Sequence, residues 1–205
     1  MEKAKMSKSM VLLGILGLIF VVIIGFFMWL FGVKNTIITK EEGLKSAWSQ
    51  VENQYQRRYD LIPNLVATVK GYATQEQETF TQVTEARSKA TSFQITPEVL
   101  NNPESLKKFQ AVQGELSSAL SRLMAISENY PQLKSNENFL QLQSQLEGTE
   151  NRISVERNRF NDSAKSYNTF IRLFPQSFVA SMFGFAQKPY FEAATGAENA
   201  PQVQF

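Results

Sequence analysis

The chain has 205 residues, enough for one domain with appendages. It contains no cysteine and no histidine, which removes disulfides, thiolate metal sites, the commonest metal ligand and the commonest general base. Net charge is +2, already supplied by Lys3, Lys5 and Lys8 against Glu2, so the remainder is neutral and offers no electrostatic case for nucleic acid.

Residues 1–9 form a short basic tail, and Met10 to Val33 then runs 24 positions without a charge. That length spans a hydrocarbon core of about 30 Å, so a transmembrane helix over 10–33 is expected and the lipid bilayer is the first partner. Trp29 sits near one end, where interfacial indoles are usual. A cleavable signal peptide fits less well: the run is too long, and Gly32-Val33-Lys34 has no small-x-small site. Lipidation at a lipobox needs a cysteine, which is lacking. Gly14, Gly17 and Gly25 would let helices approach, but Gly14 and Gly17 miss the four-residue spacing. Lysines before the span, against Lys34, Lys40 and Lys45 after it, slightly favour a cytoplasmic N-terminus with the bundle on the other side.

A short linker is expected at Lys34 to Ile38, followed by a capping box at Thr39-Lys40-Glu41-Glu42 that starts the next helix. From Leu44 to Ala90 apolar residues step by threes and fours through Trp48, Val51, Tyr55, Ile62, Val66, Val69, Phe80 and Val83. Pro63 lies inside this pattern, and because the periodicity continues past it a kink is expected, not a break. Thr91 to Asn102 reads as a connection. Asn102-Pro103-Glu104 supplies a cap, a first-turn proline and an acid for a second bundle helix that stops before Tyr130-Pro131. Ser135 and Asn136 can cap a third, ended by Pro175. In it Phe139, Leu146, Ile153, Phe160, Tyr167 and Phe174 recur every seven positions, the signature of one long helix packed at a shallow angle. The neighbouring row, Leu142, Thr149, Glu156, Ser163 and Phe170, puts a polar stripe near its centre.

Ser177 to Phe185 can make two aromatic-rich turns ending near Gly184, and residues 192–205 read as a tail of low order. The fold expected is therefore all-α: an N-terminal transmembrane helix, then an antiparallel bundle of three long helices and a shorter C-terminal helix over 34–191.

Catalytic readings find little support. Di-metal carboxylate bundles need Glu-x-x-His pairs, and Glu147-x-x-Glu150 alone reads as a solvated face. No Gly-x-Ser-x-Gly elbow occurs and no histidine can serve as base. No metal, cofactor or catalytic residue is assigned. The charges in the helical seams are sharper candidates. Arg58, Glu76 and Arg87 on one helix and Glu150, Glu156 and Arg157 on another can meet as a buried ion-pair layer, since a seam charge persists only when paired. The alternative is plain structural pairing at a seam edge. The C-terminal apolar residues, Phe178, Met182, Phe183, Phe185, Tyr190 and Phe191, admit three readings: a segment folding back on the bilayer, a surface joining neighbouring copies, or a fourth helix closing the bundle.

The block Arg57-Arg58-Tyr59-Asp60-Leu61-Ile62-Pro63-Asn64-Leu65-Val66 resembles the LemA family of bacterial membrane proteins. Three more blocks agree: Val69 to Ala73, Leu146 to Ile153, and Arg159-Phe160-Asn161 through Tyr167-Asn168 to Phe174-Pro175. Gln75 and Lys34 depart from that pattern, where histidine and tyrosine are common. The resemblance implies a transmembrane helix with a helical bundle in the bacterial inner membrane, and no enzymatic activity. The function expected is a non-catalytic scaffold that self-assembles or holds partners. The alternative is an adaptor or regulator of another envelope protein, a protease or sensor, acting through its bundle face. Arg57, Asp60 and Asn64 join the C-terminal apolar set as the candidate partner or self-association surface.

Overall fold

The computed structural model describes residues 8–93 and 100–192, all helix and connections with no strand among the described residues. The first element is one uninterrupted helix, α1 (Lys8–Lys70), 63 residues and about 95 Å at 1.5 Å per residue. Side chains from Leu12 to Trp29 are all exposed, whereas from Leu30 onward one face turns inward through Val33, Ile37, Leu44, Trp48 and Val51. No linker interrupts it at Lys34 to Ile38, and Thr39 caps nothing. Thr36 and Thr39 instead donate their hydroxyls to the carbonyls of Gly32 (2.9 Å) and Asn35 (3.0 Å), which satisfies them inside a helix. The helix also continues through Pro63.

The single helix expected from Leu44 to Ala90 is in fact two. α1 ends at Lys70, and Gly71 begins a turn leading to α2 (Gln77–Ser92). The stripe reads continuously because Val69 before the turn, Ala73 within it and Phe80 and Val83 after it all face one core. α2 runs back along α1, so that Arg87 lies beside Tyr59.

The segment 94–99 of the predicted connection lies outside the described residues. α3 (Pro103–Ala125) then starts as expected, with the Asn102 side chain accepting from the backbone N–H groups of Glu104 and Ser105. A 3-10 turn at Ile126–Glu128 and the single turn α4 (Pro131–Lys134) lead to α5 (Glu137–Arg172), capped by Asn136, which accepts from the Phe139 N–H. Ser135 closes α4 instead, its hydroxyl donating to the Pro131 carbonyl at 3.1 Å. α5 stops at Arg172, three residues short of Pro175. Five members of its heptad row are buried, but Phe174 is 88% exposed.

The upper half of α1 with α2, α3 and α5 makes an up-down-up-down bundle, its longest contact being the antiparallel α1–α5 pair. Trp48 centres an aromatic core, 5.7 Å from Phe109, 5.4 Å from Phe160 and 5.7 Å from Phe191 between ring centroids. A smaller cluster lies where α1 leaves the bundle. There α6 (Gln176–Phe183) packs Val179 and Ala180 against Leu30, Val33, Ile37, Tyr167 and Ile171. Gly184 ends α6 at φ 75°, a left-handed conformation that suits glycine, and Phe185 to Glu192 returns along the bundle as an extended strap.

Candidate functional site

Among the described residues Arg58 is the largest fully buried side chain, 1% exposed in the C-terminal quarter of α1. The heptad packing of α1 on α5 and the neighbouring α3 decides its surroundings. Its Nη1 donates to Glu150 Oε2 and Ser117 Oγ, each at 3.0 Å, and its Nη2 donates to Gln113 Oε1. The guanidinium carbon lies 5.0 Å from the Tyr55 ring centroid, a cation–π placement that adds to the pairing. Gln113 passes the network on, donating to the Tyr59 hydroxyl, while Arg87 Nε donates to the Tyr59 carbonyl at 3.0 Å. Arg58 Nε alone has no partner. Burial pushes the Tyr55 phenol up to about 12 and raises that of Tyr59, so both stay neutral beside the cation.

One polar layer thus joins α1, α2, α3 and α5, but not with the six charges that sequence proposes. Arg58 and Glu150 meet directly, and Arg87 joins through Tyr59. Glu76 lies elsewhere, accepting from the Tyr130 hydroxyl at 3.3 Å, and Glu156 pairs with Arg159 on its own helix at 2.7 Å. Arg157 reaches the strap: it donates to the Glu192 carbonyl at 2.9 Å and covers the Phe191 ring at 4.7 Å. Gln113 and Ser117 were missed. Gln113 stands seven residues after Leu106 and seven before Leu120, so its heptad position was the available signal.

Beside Arg58 a polar cavity of about 580 Å³ opens between α3 and α5, edged by Lys107, Gln110, Gly114 and Arg157. Sharing Ser117 and Glu150 with it, an apolar groove of about 920 Å³ continues along the same two helices, lined by Leu120, Met124, Phe139, Leu140 and Leu146. Glu147, on its edge, accepts from Gln143 at 3.0 Å.

A second constellation clamps the strap. Asn168 Nδ2 donates to the Lys188 carbonyl and its Oδ1 accepts the Lys188 N–H, both at 2.8 Å. One heptad earlier Asn161 repeats this with Phe191, at 3.0 and 2.8 Å. Lys188 itself is buried, and its ammonium donates to Glu41 Oε1 (2.6 Å) and Asn101 Oδ1 (2.5 Å). Phe191 is consequently a core residue, not a partner contact. Phe183 and Phe185 are half-buried against α1, whereas Phe178, Met182 and Tyr190 remain exposed. Arg57, Asp60 and Asn64 lie exposed together on the outer side of α1, with Gln56 donating to Asp60 at 2.8 Å.

Fold and layer together define a helical-bundle protein whose first helix extends, apolar and uncovered, beyond the bundle. The chain belongs to the LemA family, whose sequence model matches residues 47–205. It is similar to the magnetosome protein MamQ of Magnetospirillum gryphiswaldense, 27% identical over 188 residues, covering 82% of this chain and 69% of that one. Magnetosome protein MamQ 2 of Paramagnetospirillum magneticum is 27% identical over 174 residues, covering 77% of this chain and 64% of its own length. A protein named LemA from Metamycoplasma hominis is 25% identical over 179 residues, covering 86% and 77% respectively. The chain therefore spans only about two thirds of the magnetosome relatives it matches.

Proposed function

We propose that this chain is a membrane-anchored, non-catalytic scaffold that self-assembles or holds partners at the bacterial inner membrane. One observation carries the reading: the exposed apolar stretch from Leu12 to Trp29 continues without a break into the core helix of the bundle. Such a helix fixes bundle to bilayer as a rod, which is what a platform requires and what a tethered enzyme does not. The site chemistry agrees in kind. The Arg58 layer uses its donors on fixed neighbours, and with no histidine or cysteine in the chain neither the commonest general base nor a thiol nucleophile is on offer. The lysines before the span, with the amino terminus, slightly favour a cytoplasmic N-terminus with the bundle across the membrane.

The groove between α3 and α5 favours a second reading, an adaptor that seats an envelope protein on its bundle face. Mild detergent extraction followed by mass measurement separates the two. A scaffold emerges as a large homo-oligomer, an adaptor as a monomer until its partner is supplied. Release of the full-length chain by alkaline washing, without detergent, would overturn the anchor; turnover of a substrate by the purified protein would overturn the non-catalytic role.

A further inference from the structure

The row Phe174, Phe178 and Met182 is spaced by fours and stands 88%, 59% and 51% exposed. The opposite face of α6 is apolar too, with Val179, Ala180 and Phe183 packed inward. α6 is thus apolar on two faces, and its only polar side chains are Gln176, Ser177 and Ser181, none charged. Charge makes the same point: from Leu173 to Gln187 fifteen consecutive residues carry none. The position of α6 decides what covers it. It packs on Leu30, Val33 and Ile37, where the uncharged stretch of α1 gives way to Lys34 and Lys40. Its exposed row thus lies at the end of the bundle where the uncovered aromatic end of that stretch, Phe27, Trp29 and Phe31, begins. Lys34 stands 4.6 Å over the Phe183 ring and Arg172 precedes the segment, cations suited to the headgroup level.

Resting on the anchored reading above, we infer that α6 is a lipid-facing wedge: Phe174, Phe178 and Met182 lie in the boundary of headgroups and acyl chains beside the exit of α1. The chain then meets the bilayer at two points. α1 crosses it, and α6 lies in its surface with Gly184 turning the chain back toward the bundle. This arrangement adds a second constraint on the tilt of the bundle to the one that the unbroken rod of α1 supplies.

The test uses the two native tryptophans, Trp29 in the anchor and Trp48 in the bundle core. Full-length protein is reconstituted in phosphatidylcholine vesicles with brominated acyl chains, which quench only indoles in contact with lipid. The difference between wild type and Trp29→Phe reports the anchor. Adding Phe178→Trp to Trp29→Phe reports the wedge, and Met182→Trp serves the same end should the first variant fold poorly. The wedge predicts about a twofold or greater loss of the added emission, as for an indole held in the interface, with Trp48 unaffected. Quenching of Trp29 without quenching at position 178 or 182 overturns the wedge and leaves the anchor standing. No quenching of Trp29 overturns the anchor, and the wedge falls with it. Disulfide-linked dimers of Phe178→Cys, in a chain with no other cysteine, together with an unquenched indole, would mean that a second copy covers the row and would also overturn it.

Discussion

Replacing Arg58 with methionine keeps most of the side-chain volume and deletes the charge. Three consequences compete. Gln113, only 4% exposed, keeps its carbonyl oxygen but loses the donor, which costs about 1–3 kcal/mol for a stranded buried acceptor. Glu150 is 53% exposed on its side chain, so water takes over from the lost partner at a cost of under about 1 kcal/mol. Against these, the bundle no longer desolvates a guanidinium whose Nε is unpaired, a relief made substantial by the cost of taking that charge out of water. The stranded Gln113 carbonyl is the largest uncompensated loss, and the net expectation is about 1–2 kcal/mol of destabilisation.

For a chain of this size that is a fall of roughly 2–8 °C in melting temperature, read by circular dichroism of the full-length protein in detergent. The companion variant Arg58→Met/Gln113→Leu/Tyr59→Phe removes the buried part of the network and leaves unpaired only Glu150 and Ser117, neither of them fully buried. It is expected to recover most of the loss, as apolar replacement of buried polar clusters often does. Unchanged melting of Arg58→Met would refute the layer. A triple variant less stable than the single one would refute the argument that the stranded carbonyl, and not the lost ion pair, sets the cost.

Spin labels at Phe27→Cys and Gln56→Cys, 29 residues apart on α1, are expected about 44 Å apart with a narrow distribution in vesicles; a broad, shorter distribution would restore the linker. Asn168→Ala removes both hydrogen bonds to Lys188, so amide exchange across Phe185 to Glu192 should quicken while exchange in α3 stays unchanged; equal protection in both proteins would remove the clamp. Because burial holds the Tyr55 phenol at about 12 against an ordinary value of 10.0, its contribution to stability is complete below pH 10 and is lost as pH rises through 12. Melting temperature across that window should therefore fall less steeply in Tyr55→Phe than in wild type, and identical slopes would count against the burial of this phenol as the cause.

What sequence makes legible here is the set of contacts that repeat. The row from Phe139 to Tyr167 is periodic because α5 lies along α1 for most of its length, so each turn reports the same environment and the helix declares itself. Period alone, however, measures which way a residue faces, not whether the chain has turned. Val69 and Phe80 lie on separate helices yet face one core, so their spacing imitates a single element. The opposite error arose at Thr39, where a hydroxyl three residues before an acid matches a capping box. The same hydroxyl can bond the carbonyl four residues back, and a helix already propagating from the apolar stretch makes that the available partner. The polar layer was half legible for a related reason. A charge in a seam demands attention because stranding it is costly, so Arg58 and Glu150 stood out, while neutral Gln113 did not, although its carbonyl accepts from the same cation. Asn161 and Asn168 were visible as motif residues without a role. Their amides do what a neighbouring strand would do, offering one donor and one acceptor to an extended backbone, and nothing in either residue's own surroundings along α5 announces a strap that arrives 20 to 30 residues later.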